Sequence, residues 1–177
     1  MIALVCAFFG LILLYLDQIT KAWAEATDVS QTVIPNFIRF RFTQNSGMAF
    51  GIGSDNQTFM VVVTVLTVVM IVGIAVLFFT LFKKNAPAQV ALALVEAGAI
   101  GNLIDRLILD YVRDFVDVSS IGFGVCNLAD FYITGGAVLL VIVILFVGKD
   151  AVIPLGKYRK QAKEEREKEK AEKQTNG

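Results

Sequence analysis

The chain contains no histidine among its 177 residues. That absence excludes Ser–His and Cys–His nucleophile pairs and any histidine-based metal site. Cysteine is scarce: Cys6 and Cys126 stand far apart and form no CxxC pair. This spacing argues against a disulfide or a thiolate metal centre and leaves the redox compartment undetermined. The formal net charge is zero, so no single sign dominates and the information lies in where the charges sit. No internal repeat is present. Acid–base chemistry must therefore come from Asp, Glu, Lys, Tyr or Ser.

Apolar sequence is what the chain has in excess. Hydrophobic residues make up 56% of it and the mean hydropathy is +0.67, above the roughly 45–50% apolar content of soluble domains. Four runs are long enough to cross a bilayer, which takes about 20 residues. They predict spans over about 2–24, 58–82, 88–109 and 129–148. A cleaved signal peptide is the alternative reading of the first run, because Ala24-Glu25-Ala26 resembles a cleavage site. The run lacks a basic leading segment, however, and Asp17 to Lys21 precede that site.

Between the first two spans the period changes. Ile38, Phe40 and Phe42 alternate with Arg39, Arg41 and Thr43, the pattern of a half-buried strand. Asn45-Ser46-Gly47 offers a turn, and Gly51 and Gly53 close a β element over about 33–53. Residues 110–128 read as a polar, glycine-containing loop. The segment 157–177 is mostly Lys, Glu and Arg with no apolar stripe, so it reads as a solvated tail. The expected architecture is a membrane all-α protein with a small β element, one domain over 1–156, and that tail. Lys83, Lys84 and the residues from Lys149 onward hold 11 of the 16 basic side chains. The positive-inside rule then puts both termini in the cytoplasm. The β element and the stretch Gly98–Asp130 fall on the other side.

That stretch concentrates carboxylates, amides and arginine between two apolar runs. Asp114 and Asp130 come to similar depth once the third span runs outward and the fourth runs back. Acids at such a position are functional hypotheses by default. A close pair shares a proton and can activate water, one carboxylate accepting water's proton while its protonated partner polarises a carbonyl. Asn127-Leu128-Ala129-Asp130 also fits a helix cap, with Asn127 as N-cap and Asp130 favoured by the dipole in its ionised form. Gly98, Asn102 and Asp105 or Arg106 share one helix face, and Gly98 and Gly101 allow close approach. Asp105 reads as a structural ion-pair partner, and Asp110 and Asp117 as solvated loop acids. Ser119 and Ser120 lack a lysine at any recognisable spacing. Asn56-Gln57-Thr58 matches a glycosylation sequon at the very start of a span. Glu96, mid-span, suits either proton coupling or a hydrogen-bonded neutral acid.

Five motifs in order resemble the bacterial lipoprotein signal peptidase (type II signal peptidase) family. They are Asp17-Gln18-Ile19-Thr20-Lys21, Asn45-Ser46-Gly47-Met48-Ala49-Phe50, Gly98-Ala99-Ile100-Gly101-Asn102-Leu103-Ile104-Asp105-Arg106, Val112-Arg113-Asp114-Phe115 and Asn127-Leu128-Ala129-Asp130. The resemblance implies four transmembrane helices, an extramembrane β-cradle after the first, and an aspartyl endopeptidase with Asp114 and Asp130 as catalytic pair. It implies that Asn45, Asn102, Arg106 and Asn127 line the site, with Asp17 and Lys21 at supporting motif positions. The implied substrate is a diacylglyceryl-modified prolipoprotein cut before its lipidated cysteine. Membrane lipid is the surrounding partner; no metal, other cofactor or nucleic acid is expected, and the chain is expected to be monomeric in the inner membrane. Cys126, Phe131 and Glu96 depart from the family pattern. The competing readings are a small proton-coupled transporter using Glu96 and a non-catalytic scaffold. A carrier wants acids at the membrane midplane, whereas nearly all of these lie at the span ends.

Overall fold

The computed structural model describes residues 1–46, 57–82 and 84–147. Among these residues are four α-helices, α1 (Ile2–Thr27), α2 (Gln57–Phe79), α3 (Ala86–Leu109) and α4 (Leu128–Phe146), and four strands. The strands are β1 (Ser30–Ile34), β2 (Ile38–Asn45), β3 (Val112–Asp117) and β4 (Val125–Cys126). Gly47 to Phe50 of the second motif, Gly51, Gly53, Asn56 of the sequon, Lys83, residues 148–150 and the 157–177 tail lie outside the described residues.

Local chemistry sets the helix ends. The Asn85 side chain accepts a hydrogen bond from the Ala88 N–H at 3.1 Å, and Pro87 sits in the first turn, where its missing N–H costs nothing. The third helix therefore starts at Ala86, two residues ahead of the predicted boundary. Asp110, with φ of 62°, ends it in the left-handed conformation that Asp tolerates.

The helix α3 is the centre of the bundle and packs against α1, α2 and α4. Its inward face is built from small residues, among them Ala88, Ala91, Ala97, Gly98, Ala99 and Gly101, all buried. A Cβ on Gly98 would collide with the Ala129 carbonyl oxygen of α4, and one on Gly136 would lie 2.7 Å from the Ala91 carbonyl oxygen. Small residues on both helices thus let the backbones of α3 and α4 touch at two levels. Outside this seam, α1, Thr58–Phe79 of α2, and α4 are long and apolar enough to cross a membrane. Their outer faces expose Phe8, Val65, Val69, Phe79 and Val141, a surface suited to lipid rather than water. The third helix is as long, about 36 Å at 1.5 Å per residue, but carries Glu96, Asp105 and Arg106. The molecule is a multi-pass membrane protein.

At one end of the bundle the strands form an antiparallel sheet in the order β1-β2-β3-β4. Ile38, Phe40 and Phe42 turn inward while Arg39 and Arg41 are exposed, as the alternation predicts. The inward side chains pack with Ala24, Val29, Phe115, Val116 and Leu128, and the Trp23 ring meets Phe40 edge-on at 6.3 Å. The turn before β2 is at Asn36, φ 57°; Asn45 is the last residue of β2, and the turn expected from Asn45 to Gly47 runs outside the described residues.

One expectation is overturned. Residues 110–128 are not a loop, because β3, a short 3₁₀ turn and β4 occupy most of that span. The third strand is almost wholly buried on both faces, so its sequence lacks the alternation that would have revealed it. Asp117 is correspondingly not solvated. It is buried, accepts hydrogen bonds from the Ser119 backbone and hydroxyl and pairs with Arg41 at 3.0 Å. The Ser119 bonds first, and then the Arg41 charge, hold its carboxyl below the usual range. Asp110 is exposed, as expected.

Candidate active site

The site assembles where α1 and α3 end, α4 begins and β3 crosses between them. It starts with Lys21 on α1, which is fully buried. An ammonium carries three donors, and three acceptors surround this one: Asp17 Oδ2 at 2.9 Å, Asn102 Oδ1 at 2.7 Å and Asp105 Oδ2 at 3.6 Å. Because an ammonium only donates, it dictates which end of the Asn102 amide faces it. The Asn102 Nδ2 therefore points the other way and donates to Asp130 Oδ1 at 2.9 Å.

Asp17 ties α1 to α4. Its Oδ1 accepts the Ala129 N–H at 2.9 Å, satisfying one of the orphan donors at the start of α4. Gly101 makes room for this contact, since a Cβ there would collide with Asp17 Oδ2. The same helix start carries the predicted capping box. Asn127 Oδ1 accepts the Asp130 N–H at 3.2 Å, and Asp130 Oδ2 accepts the Asn127 N–H at 3.0 Å. Such a cap is worth about 1 kcal/mol and fixes the carboxylate of Asp130.

Asp114 comes from β3. Its Oδ1 accepts from Asn127 Nδ2 at 2.6 Å and its Oδ2 from Asn45 Nδ2 at 2.8 Å. Asn45 pairs with Val112, two residues from Asp114, so both side chains lie on one face of the sheet. Asn127 thus holds the α4 cap with its oxygen and Asp114 with its nitrogen. Burial first, and then the nearby Asp130 charge, push the Asp114 carboxyl up to about 7, against the N–H donors and Lys21. A group so shifted is about half protonated at neutral pH. Cys126, on β4 beside both aspartates, has its thiol pushed up to about 12 chiefly by burial, which makes it a poor nucleophile.

The structure brings all the predicted residues to this end of the bundle. Asp17, Lys21, Asn45, Asn102, Asn127, Asp114 and Asp130 join one hydrogen-bonded network with Asp105, while Gly98 and Gly101 are close-approach points. Arg106 donates weakly to the Asn102 carbonyl at 3.4 Å. Its charge faces Asp130, Asp114 and Asp105, and its buried Nε has no hydrogen-bond partner among the described residues.

Sequence reasoning missed three members of the surrounding frame. Gln18 Nε2 donates to Asp17 and to the Gly101 carbonyl, both at 3.1 Å. Arg113 binds Asp105 with its backbone N–H, Nε and Nη2 at 3.0, 3.2 and 2.7 Å. Glu25 accepts from Tyr111 at 2.6 Å and from Arg113 at 3.5 Å. The available signal was a run in which Arg113, Asp114 and Asp117 interrupt Val and Phe. Glu96 lies elsewhere, in the wall of an apolar cavity of about 270 Å³ between α1, α2 and α3.

Carboxylates joined through shared Asn and Lys side chains at one end of a lipid-facing bundle define an integral membrane protein with a buried polar site. Residues 9–146 match the family described as Signal peptidase (SPase) II. Lipoprotein signal peptidases of Streptococcus pyogenes serotypes M3 (strain MGAS315) and M5 (strain Manfredo) are 40% and 39% identical over 136 residues. Each match covers 75% of this chain and 87% of the relative. A solved bacterial membrane enzyme, determined by the in meso method at 2.3 Å, superposes with a TM-score of 0.68 at 32% identity, covering 81% of this chain and 87% of its own. The chain belongs to the signal peptidase II family and is a membrane peptidase.

Proposed function

We propose that the chain is an aspartyl endopeptidase that removes signal peptides from diacylglyceryl-modified prolipoproteins, cutting before the lipidated cysteine. The observation that carries this reading is the Asn127 side chain, which joins Asp114 to the helix cap that contains Asp130. Two carboxylates meet there, one of them raised to about 7 by burial and by the other's charge.

In the reaction, protonated Asp114 donates a hydrogen bond to the scissile carbonyl, and the Asp130 carboxylate takes a proton from the attacking water. The water oxygen bonds to the carbonyl carbon as the Asp114 proton passes to the carbonyl oxygen. Asp130 then delivers its proton to the leaving nitrogen as the C–N bond breaks, and the collapsing diol returns a proton to Asp114. The Arg106 Nε, unpaired among the described residues, supplies a donor for substrate carbonyls beside the dyad.

In the same reading, residues 1–156 form one domain with four spans, α3 being the central one. Both termini lie in the cytoplasm, with the charged tail 157–177. The site opens at the outer face of the inner membrane, where a monomer meets its substrate and the surrounding lipid. Asp114→Asn and Asp130→Asn each lower turnover of a lipid-modified precursor by about a thousandfold or more, in line with loss of general acid–base catalysis, while insertion into membranes stays normal. Near-native turnover by either variant overturns the dyad.

A further inference from the structure

Arg113 occupies the variable position of the Val-x-Asp-Phe motif, one residue before Asp114. Along a strand, neighbouring side chains point to opposite faces. Asp114 turns toward Asn45, Asn127 and Asp130, and Arg113 turns back toward α1 and the end of α3. There its guanidinium is mostly buried, with 11% of the side chain exposed. It reaches Asp105 Oδ1 at 2.7 Å and Oδ2 at 3.2 Å, Gln18 Oε1 at 3.0 Å and Glu25 Oε2 at 3.5 Å. Its own backbone N–H adds a fifth tie to this frame, donating to Asp105 Oδ2 at 3.0 Å. Main chain and side chain of one residue thus grip the same carboxylate, whose helix also carries Asn102 and Arg106.

We infer that Arg113 is a positioning residue, which locks the backbone of β3 to α1 and α3 so that Asp114 is held at bonding distance from Asn127 and opposite Asp130. The inference rests on the aspartyl-peptidase reading above. A bidentate Arg–carboxylate pair fixes direction as well as distance, which a lysine's point charge does not. The β2–β3 ladder pairs Thr43 with Asp114 but is irregular on the Phe40 side, so sheet pairing supports Asp114 from one side only. The grip from the helix side supplies what the sheet lacks. The charged and titratable groups that face Asp114 from its surroundings are Asp130 on α4, Lys21 on α1, Arg106 on α3 and the Cys126 thiol on β4. Arg113 is not among them, so it acts through the backbone rather than through its charge.

Arg113→Ala leaves the buried Asp105 carboxylate with the residue's own backbone N–H, Gln18 and the more distant Lys21, and costs stability. The decisive variant is therefore Arg113→Lys, which keeps the positive charge beside Asp105. Arg41→Lys, altering the Asp117 pair at the far end of β3, is the control. Each full-length protein is purified in detergent, its folded fraction measured by thermal unfolding, and its cleavage of a lipid-modified precursor followed across pH. For Arg113→Lys, kcat per folded molecule falls between about tenfold and a hundredfold with KM within about twofold, as displacement of a catalytic group predicts. The alkaline limb of its pH profile moves upward, because a displaced Asp114 loses N–H donors that favour its charged form. Arg41→Lys leaves both unchanged. Unchanged kcat and pH profile in Arg113→Lys, or an activity loss matched by loss of folded protein, overturns the inference. Asp114→Asn measured alongside separates the two levels: if that variant remains active, the reading of the site fails first.

Discussion

The two halves of α3 bury polar groups in opposite ways. Beyond Gly98, Asn102 and Asp105 each have several hydrogen-bond partners drawn from α1, α4 and β3. Before it, Gln89 is fully buried with neither amide atom paired among the described residues, and Glu96 Oε2 is likewise unpaired. A buried polar group without partners costs free energy that a paired one recovers. The paired half is therefore the one whose geometry is over-determined, as a site that must hold carboxylates in place requires. Arg106 is the exception there, and its unpaired nitrogen lies beside the dyad rather than in the apolar half.

The comparison breaks outright if the Asp114→Asn or Asp130→Asn enzyme keeps its turnover. After that, the largest effect belongs to Lys21→Met. It removes the cation shared by Asp17, Asn102 and Asp105, leaving a buried carboxylate uncompensated at about 3–5 kcal/mol. It also frees the Asn102 amide to turn away from Asp130, so turnover per folded molecule falls as well. Thermal unfolding and cleavage assays in the same detergent measure both; a variant with native stability shows that the network is not holding the helices.

Gly98→Ala comes next. The added methyl meets the Ala129 backbone, which cannot yield as a side chain would, so we expect a cost of about 1–3 kcal/mol. Gly135→Ala on α4 meets nothing within 4 Å and is the neutral control in the same unfolding assay. Equal melting temperatures for the two would remove the argument for contact between α3 and α4.

The pH dependence follows from Asp114, whose carboxyl is raised from 3.8 to about 7 on folding. The folded protein holds that proton more tightly than the unfolded chain does. The corresponding stability is full below about pH 4 and is lost as pH rises through about 7. Activity that needs protonated Asp114 declines over the upper part of the same range. In Asp114→Asn the fall in melting temperature between about pH 5 and 8 is smaller than in the native protein. An unchanged fall assigns the titration to another group.

Much of this was legible before any coordinates. The apolar runs are long enough that only helices satisfy them, and the Ile38–Phe42 alternation marks a sheet with one wet face. Asn127 and Asp130 have the spacing of a helix cap. The third strand was hidden because it is buried on both faces, and with it the sheet partner of β2. Arg113, Gln18 and Glu25 escaped notice for a related reason. Apart from Asp17 beside Gln18 and Asp105 near Arg113, their partners lie more than 80 residues away in sequence, so no local pattern announces them. Chemistry-bearing residue types were readable, whereas the long-range bonds that aim them were not.

The smallest expected effect is Glu96→Gln, and it tests the other half of the comparison. Glu96 lines an apolar cavity with Ala93, Ala97 and Ile100 on its own helix, Gly10 on α1 and Phe78 on α2. Ten residues separate it from Arg106, about 15 Å along the helix, too far to touch the aspartates directly. A proton carrier at this depth would need polar neighbours to pass the proton on, and the cavity walls around it are almost wholly apolar side chains. The amide is nearly isosteric and carries no charge, so stability should change by no more than about 0.5 kcal/mol and turnover by no more than about twofold. A tenfold loss of turnover at unchanged melting temperature would mean that the unpaired half of α3 takes part in the chemistry. The division between a wired end and an inert middle would then fail, and a proton path through Glu96 would have to be reconsidered.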